Sequence, residues 1–283
     1  MSERQNTADW ADWIGRERVQ HETLDPARSQ ALSTALGLPP SQDELPHLHH
    51  WLHFWEVPGP DRVGVDGHPQ RGDFLPPIAL PRRMWAGGRL TFHAPIRFGQ
   101  RLERRSTIIS VQPKSGRSGE MVFVTVRHRL LTEDGLAIEE EQDLVFREAA
   151  TGPAPPAAAD ILDQPDPTWR RSLVVDPVLL FRFSALTMNG HRIHYDQPYA
   201  TRVEHYPGLV VHGPLQAILM LSDAEARIGR GASGFGFRGL SPADDLAPLD
   251  ICGEAVGETA QYWIAQQGRR TMSATVDWTG DAR

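Results

Sequence analysis

The segment PLQAILMLSDAEARIG, residues 214–229, carries the strongest helical signal in the chain and decides which fold the sequence predicts. Gly213-Pro214 before it and Gly229 behind it are typical start and stop signals. Its broad apolar face is formed by Leu215, Ile218, Leu219 and Met220. Strand-like sequence follows directly, so we expect a sheet to wrap this helix.

Apolar and β-branched residues alternate in both halves of the chain, a pattern that predicts antiparallel meanders with one buried face. The first-half strands are predicted in STIISVQPK (106–114), EMVFVTVRHRLLTEDG (120–135) and LAIEEEQDLVFRE (136–148). The second-half strands are predicted in LDICGEAVGE (249–258), TAQYWIAQQGRR (259–270) with a Gln-Gly turn, and TMSATVDWTG (271–280).

A weak internal repeat relates the two halves. LTFHAPIRFGQRLERRSTI (90–108) resembles FRGLSPADDLAPLDICGE (237–254), because each has a strand, a proline, a polar turn and another strand. Such a repeat at half-chain spacing indicates duplication of one α+β unit. The Pro/Ala-rich segment EAATGPAPPAAADILDQPDP (148–167) reads as a linker. We therefore predict an N-terminal domain at 1–150, a linker at 151–164 and a C-terminal domain at 165–283.

Helices are fewer in the first half. DWADWIGRERVQHETLDPARSQALSTALGL (9–38) predicts two amphipathic helical pieces, the second beginning at Asp25-Pro26. Each half is therefore expected to be one helix nested in an antiparallel sheet. GASGFGFRG (231–239) lacks the strand-to-helix context of a dinucleotide loop, so a bend before the next strand is expected there.

Composition limits the classes of function. A formal net charge of −7 argues against a nucleic-acid partner, since phosphate binding needs a basic face. The lone Cys252 excludes an internal disulfide. No apolar run approaches the roughly 20 residues of a membrane span, and the polar start lacks an apolar leader. A cytoplasmic protein without a membrane partner is expected.

FSALTMNGHRIHYDQPYA, residues 183–200, crowds titratable side chains behind an apolar start. Together with YPGLVVHGPL (206–215), this stretch resembles the hydratase motif of the MaoC-like family, enzymes that add water to 2-enoyl-CoA thioesters on a hot-dog fold. The run HHWLHFWEVPGPDRVGVDGHPQRGDFLPPIALPRRMWAGGRLTFHAPI (49–96) resembles the N-terminal half of one branch of that family. In this branch the N-terminal hot dog is degenerate and the C-terminal one is catalytic.

The resemblance implies an α+β double hot-dog fold whose N-terminal unit has lost catalysis and shapes the acyl pocket. It also implies a hydro-lyase without a cofactor that acts on a coenzyme A thioester, and a homodimer. The branch includes hydratases of mesaconyl-C4-CoA (3-methylfumaryl-CoA) and of itaconyl-CoA, so a short branched dicarboxylic enoyl-CoA is the expected substrate. A straight-chain 2-enoyl-CoA is a third alternative. A hot-dog thioesterase and a non-catalytic acyl-CoA binder are the alternatives from other classes.

The family motif runs Asp-x-Asn-Pro-x-His-x-Asp, and its first Asp and its His form the catalytic pair. Aligned without gaps, the His falls on His194 and the last Asp on Asp196, but Asn189 occupies the position of the catalytic Asp. The Asn-Pro pair becomes His191-Arg192. An amide cannot take a proton from water, so we expect His194 to be the general acid/base and Asn189 to hold the water.

The chemistry requires these residue types. Histidine titrates near neutrality and can act as base and acid in turn. Gly213 lies at a helix start, where backbone N–H groups favour the negative charge of a developing enolate. His191, Asp196, His212 and Tyr195 are alternative acid/base or orienting groups. Asp196 is expected at a helix end, and His212 is expected to fix the following turn through a backbone hydrogen bond.

A substrate carboxylate in an apolar pocket needs a cation, and the planar fork of arginine suits it. The candidates are Arg82, Arg83 and Arg192, with Trp85 beside them in the pocket wall. The alternative is that Arg82 and Arg83 are surface residues or bind the CoA phosphates. His47, His49, His50 and His53 lack the pattern of a metal site, and we expect no metal there but an aromatic wall formed with Trp51, Phe54 and Trp55.

Overall fold

The structure is a computed structural model that describes residues 7–116, 119–149, 152 and 167–279. The predicted linker at 151–164 lies outside the described residues, apart from residue 152. The strands of the N-terminal half are β1 (Glu17–Thr23), β2 (Arg82–Phe92), β3 (Arg101–Gly116), β4 (Gly119–Thr132) and β5 (Gly135–Arg147). Those of the C-terminal half are β6 (Trp169–Leu173), β7 (Gly234–Gly239), β8 (Leu249–Val256), β9 (Thr259–Gln266) and β10 (Arg269–Asp277). The α-helices are α1 (Pro26–Ala35), α2 (Pro177–Thr187), α3 (Gln197–Arg202) and α4 (Gly213–Ile228).

All ten strands form one antiparallel sheet in the order β1-β3-β4-β5-β2-β7-β10-β9-β8-β6. The two halves of this order are mirror copies, since β1 to β5 in one half correspond to β6 to β10 in the other. The halves join where β2 pairs with β7, with Leu90 opposite Phe235. This topology confirms the internal repeat read from the sequence. It also brings residues from both halves to one continuous surface.

The central helix α4 has the predicted limits. It begins at Gly213 with Pro214 in its first turn, and Gly229 ends it in the left-handed conformation at φ 75°. The predicted apolar face of Leu215, Ile218, Leu219 and Met220 is buried. These side chains join a hydrophobic core that draws residues from both halves, including Leu24, Leu102, Leu130, Ile251 and Ile264. Full burial of one such side chain contributes about 1.5–3 kcal/mol, so the helix and sheet stabilise each other.

The N-terminal half differs from its copy between its helix and its second strand. Where the C-terminal half has α4, residues 36–81 contain only short 3-10 helices at His49–Leu52 and Pro60–Arg62 within extended chain. A sheet that lacks a long covering helix leaves space beneath it. This space becomes the cavity described below.

Two predictions about local structure are wrong. The first helical piece of residues 9–38 is instead a 3-10 helix at Thr7–Trp13 followed by β1, whose pairing with β3 overrides its helical pattern. The expected bend at 231–239 is largely strand β7. A Cβ at Gly87 of the neighbouring strand would meet the carbonyl oxygen of Phe237, so the backbones of β2 and β7 approach closely at this point.

Other local signals hold. Asp25 and Asp176 each cap a helix that starts with proline, and their carboxylates accept hydrogen bonds from the N–H groups of Ala27 (2.7 Å) and Leu179 (2.8 Å). Gln267 and Gly268 both have positive φ, at 50° and 76°, as the predicted two-residue turn requires. Among the helices described, none has the length and apolar character that crossing a membrane demands.

Candidate active site

A cavity of about 650 Å³ lies between the N-terminal end of α4 and the sheet of the N-terminal half. Both halves contribute to its wall. The polar lining residues used below are His68, Arg83, Asn189, His191, His194 and Gly213, and the aromatic ones are Trp51, Trp55 and Trp85. The predicted site residues therefore meet a surface from the other half of the chain.

His194 ends a short 3-10 helix, Arg192–His194, and is buried at the cavity wall. Its Nδ1 lies 2.7 Å from the carbonyl oxygen of Val210. A carbonyl can only accept, so Nδ1 carries the hydrogen and Nε2 keeps its lone pair. Burial lowers the pKa of His194 to about 4, so the ring is neutral at pH 7. This is the state that a general base needs.

His212 supports the ring of His194 from behind. The two imidazoles are stacked with centroids 3.6 Å apart and planes 18° apart. Nε2 of His212 lies 2.9 Å from Oγ of Ser184 on α2, whereas Nδ1 has no partner among the described residues. The ring of His212 thus binds a side chain, whereas its backbone carbonyl accepts a hydrogen bond of 3.2 Å from the N–H of Gln216 in the first turn of α4. Burial holds the pKa of His212 well below its usual value, so this ring is also neutral.

Asn189 enters the cavity because α2 ends at a left-handed residue. Met188, with φ 50°, reverses the chain after the last turn of the helix. Oδ1 of Asn189 accepts a hydrogen bond of 3.0 Å from the backbone N–H of His191. This bond orients the amide and leaves its NH₂ group to act as a donor. Gly213 faces the same cavity as the first residue of α4, where backbone N–H groups have no acceptor within the helix.

His191 belongs to a cluster that sequence reasoning missed. Its ring lies 4.1 Å from that of His68 and 5.4 Å from that of His194. Asp66 accepts hydrogen bonds from the backbone N–H of His68 (3.0 Å) and from its ring Nδ1 (2.9 Å). Ligand-type atoms of Asp66, His68 and His191 all lie within 4.8 Å of one another. The only sequence signal was the Asp-Gly-His spacing at 66–68, which is common in turns.

The structure separates the two neighbouring arginine candidates. Arg82 points away from the cavity and forms an ion pair of 2.8 Å with Glu204 and a hydrogen bond with Tyr206. Arg83 lines the cavity, and its guanidinium forms no hydrogen bond or ion pair with the other described residues. Burial lowers the pKa of Arg83 to about 10, so it remains charged at pH 7. Trp85 lies in the cavity wall, as expected, with its indole N–H bonded to the carbonyl of Gly87 at 2.9 Å.

Three other candidates face away from the cavity. Arg192 donates two hydrogen bonds, of 2.9 and 2.7 Å, to Asp196, and Asp196 caps α3 by accepting from Tyr199 N–H at 3.1 Å. Tyr195 is exposed and donates to the carbonyl of Gly190 at 2.9 Å. Arg192, Asp196 and Tyr195 are not among the residues that line the cavity, and each holds the chain around the site instead.

The histidines of residues 47–53 bind protein partners rather than each other. The pairs are His47 with Glu225 (2.5 Å), His49 with Ser29 (2.7 Å), His50 with Glu140 (3.0 Å) and His53 with Glu22 (3.0 Å). Trp51 donates to Glu140 at 2.9 Å and packs against Trp85 and Phe237. Of these rings, Trp51 and Trp85 line the cavity.

Comparisons with known proteins agree with this architecture. The family model for hydroxyacyl-thioester dehydratase type 2 matches residues 48–245. The chain is 43% identical over 280 residues to the mesaconyl-C(4)-CoA hydratase of Chloroflexus aurantiacus, covering 97% of this chain and 100% of that protein.

Solved structures share the fold. HtdX of Mycobacterium tuberculosis superposes with a TM-score of 0.69 at 18% identity, over 92% of this chain and 99% of that one. A second protein of that organism, which has a double hot-dog fold, superposes with a TM-score of 0.57 at 14% identity, over 93% and 95% of the two chains. The predicted resemblance and the predicted α+β double hot-dog fold are confirmed.

Proposed function

Because this chain belongs to the hydroxyacyl-thioester dehydratase type 2 family, we propose that it reversibly hydrates a short branched dicarboxylic 2-enoyl-CoA. The proposed substrate is mesaconyl-C4-CoA (3-methylfumaryl-CoA), which becomes a malyl-type CoA thioester. The Chloroflexus aurantiacus relative is named for this substrate. The observation that carries the proposal is that one cavity holds a neutral histidine, a helix start and an arginine whose guanidinium has no partner among the described residues.

Proton transfer is assigned to His194. A water molecule gives one proton to Nε2 while its oxygen bonds to Cβ, and the electron pair of the double bond moves toward the thioester oxygen. The imidazolium then returns the proton to Cα, and the thioester carbonyl forms again. The histidine starts and ends neutral, which suits a ring whose Nδ1 donates to the Val210 carbonyl and whose pKa is lowered to about 4.

The developing enolate needs hydrogen-bond donors at its oxygen. Gly213 offers the first backbone N–H of α4, and the positive end of the helix favours negative charge at this point. Preorganised donors of this kind lower a barrier by about 3–4 kcal/mol. The NH₂ group of Asn189 is the second donor in the cavity, since the bond from His191 N–H to its Oδ1 fixes the orientation of the amide.

The free carboxylate of the substrate is assigned to Arg83. In 3-methylfumaryl-CoA the β carbon carries both the methyl group and this carboxylate. A half-buried guanidinium with no partner in the described part of the chain can bind both carboxylate oxygens. The aromatic wall of Trp51 and Trp85 suits the apolar part of the acyl group. The proposed chemistry needs only water, imidazole and hydrogen-bond donors, and therefore no cofactor.

One assay separates the classes of function. The purified chain is mixed with mesaconyl-C4-CoA, and enoyl absorbance and free thiol are followed together. We expect the absorbance to fall without release of thiol. Thiol release would instead identify a thioesterase, and no change in either signal would identify an acyl-CoA binder.

The substrate is tested by comparing kcat/KM for mesaconyl-C4-CoA, itaconyl-CoA and crotonyl-CoA. Crotonyl-CoA lacks the carboxylate, so it leaves Arg83 unpaired, and we expect it to react at least about tenfold less efficiently. Equal values for crotonyl-CoA and the dicarboxylic substrates would eliminate the carboxylate site. A preference for itaconyl-CoA would keep Arg83 as the carboxylate ligand but would identify a substrate whose double bond lies at a different position.

A further inference from the structure

The N-terminal half contributes more than a wall to the cavity. The pocket lacks the carboxylate that the family motif places at position 189, and Asn189 cannot replace it as a base. Its Oδ1 accepts one hydrogen bond, from His191 N–H, its NH₂ group can only donate, and the neutral amide does not take up a proton from water. An attacking water has two O–H groups, and His194 accepts from one of them. A basic acceptor for the second O–H therefore has to come from another residue of the cavity.

His68 has an acceptor nitrogen whose tautomer is fixed by a carboxylate. It lines the same cavity and lies on the loop between α1 and β2. Asp66 accepts from its Nδ1 at 2.9 Å, so the neutral ring keeps the lone pair on Nε2. An ionised carboxylate on one nitrogen fixes the tautomer and stabilises any positive charge that the ring gains. His191, which lies between His68 and His194, has no such carboxylate bond.

The loop that carries Asp66 and His68 is docked by residues of the hydratase motif. The backbone N–H of Arg192 donates to the carbonyl of Asp66 at 2.9 Å, and its guanidinium donates to the carbonyl of Val65 at 3.0 Å. The backbones of Gly67 and Gly190 approach so closely that a Cβ on Gly67, at φ 90°, would overlap the Gly190 carbonyl. The motif therefore builds the site partly by holding a segment of the other half.

We propose that His68, oriented by Asp66, is a second catalytic residue that takes the place of the missing motif carboxylate. This assignment rests on the proposed hydration. In it, Nε2 of His68 accepts a hydrogen bond from the second O–H of the attacking water. His194 takes the first proton as the O–Cβ bond forms and returns it to Cα. The second hydrogen stays on the new hydroxyl group. In the reverse reaction His68 accepts from that hydroxyl as the C–O bond breaks.

Two features of the surroundings agree with this role. The positive charge of Arg83 lowers the pKa of His68, so the guanidinium lies close enough to interact electrostatically with this ring. The carboxylate that Arg83 would hold is attached to Cβ, the carbon that water attacks. Burial, aided by Arg83, lowers the pKa of His68 to about 4, so the ring is neutral at pH 7. The nearby Arg83 and Arg71 also disfavour a divalent cation at the Asp66–His68–His191 cluster.

The test compares His68→Gln and Asp66→Asn with wild type on mesaconyl-C4-CoA and crotonyl-CoA. His68→Gln is expected to lower kcat about 100-fold on both substrates, because the lost acceptor acts on water rather than on the carboxylate. KM is expected to stay within about threefold, whereas a collapsed pocket would raise it. Asp66→Asn, which keeps the loop, is expected to lower kcat about tenfold.

The matched control is His21→Gln, since His21 is an exposed histidine whose Nε2 lies 3.2 Å from Glu103.

The outcomes separate this proposal from the proposed function. If wild type hydrates no enoyl-CoA, the function itself is wrong. If wild type is active and His68→Gln matches His21→Gln, the function stands and the role of His68 is refuted. Imidazole added to His68→Gly is expected to restore part of kcat, and a large loss in His191→Gln instead would transfer the role to that ring. Loss of wild-type activity in a chelator, with recovery on adding Zn²⁺, would replace the proposal with a metal site.

Discussion

Nδ1 of His194 lies 2.7 Å from the backbone carbonyl oxygen of Val210, and this one contact sets the chemistry of the ring. The carbonyl fixes the hydrogen on Nδ1, and the stacked ring of His212 holds the plane of the imidazole. Nε2 is thereby presented to the cavity as a lone pair. Because Val210 lies just before the start of α4, the base and the helix start are positioned together.

Replacement of His194 by Gln is expected to lower kcat by two to four orders of magnitude, the usual size of general acid–base catalysis. The matched control, His93→Gln, removes an exposed histidine and should leave kcat unchanged. Both variants should unfold at similar temperatures. Near-normal turnover by a folded His194→Gln protein would refute the assignment.

The acid limb of the activity profile follows from the same ring. Burial lowers the pKa of His194 to about 4, and the base must be neutral. The value of kcat/KM is therefore expected to be flat from pH 7 to about pH 5.5 and to fall only as the pH approaches 4. Initial rates after brief dilution into each buffer measure it. A midpoint near the ordinary histidine value of about 6.5 would show that the titrating group is exposed.

Arg83→Gln is expected to lower kcat/KM for mesaconyl-C4-CoA by at least about tenfold, because the substrate carboxylate loses its charged partner. Crotonyl-CoA has no carboxylate, so its kcat/KM should change less than about threefold. Arg89→Gln, on the same strand but exposed and paired with Glu141 and Asp143, is the matched control. An equal loss of kcat/KM on both substrates would mean that Arg83 does not bind the substrate carboxylate.

Gly67→Ala tests whether docking of the loop matters. A Cβ there would overlap the carbonyl oxygen of Gly190, and the loop with Asp66 and His68 should move away from the cavity. We expect kcat to fall at least about tenfold. Gly99→Ala is the control, because Gly99 has a similar φ of 84° but open space around its Cβ position. Both changes carry similar backbone strain, about 1 kcal/mol, so only the clash distinguishes them. Equal activity of the two variants would argue against the docking.

Acid is expected to destabilise the fold between about pH 6.5 and pH 4. Burial lowers the pKa of His128 and His194 to about 4 and that of His49 to about 3. In the unfolded chain these histidines have the ordinary pKa of about 6.5, so the unfolded chain takes up protons that the native state excludes. The free energy of unfolding therefore decreases as the pH is lowered. Each such histidine lowers the free energy of unfolding by on the order of 1–2 kcal/mol when the pH is lowered from 7 to 5.

Urea unfolding at pH 7 and pH 5 measures this dependence. His128→Gln, which removes one buried histidine, should reduce the difference between the two pH values, and His93→Gln should leave it unchanged. Equal stability of wild type at the two pH values would contradict the lowered pKa values.

The local elements were predictable because their signals lie within a few residues. The α4 segment carries its own apolar face, its starting Gly-Pro and its ending Gly229. The strands of both meanders carry a period of two, and Asp25-Pro26 marks the start of α1. The motif match placed His194, Asn189 and Gly213, all of which line the cavity. The helix prediction for the segment that forms β1 failed because the structure of this segment depends on its pairing with β3 rather than on its own pattern.

The arginines show where local reasoning ends. Arg82 and Arg83 are neighbours in a strand, so their side chains leave it on opposite faces. Sequence alone offered both as carboxylate ligands, and only the position of Glu204 and Tyr206 shows which face is already occupied. Arg192 looked like a substrate ligand because it lies inside the motif. Its actual partners, Asp196 and the Val65 carbonyl, hold two parts of the chain together.

The sequence by itself determined the fold class, the duplication of one helix-and-sheet unit and the place of His194 in the motif, since each is encoded in short patterns. The tertiary structure alone decided which polar groups share the cavity. Arg192 and Val65 lie 127 positions apart, and no pattern along the chain connects them. Their contact depends on the pairing of β2 with β7 and on the close approach of two glycine backbones. Packing, rather than local propensity, therefore brings Asp66 and His68 beside the motif.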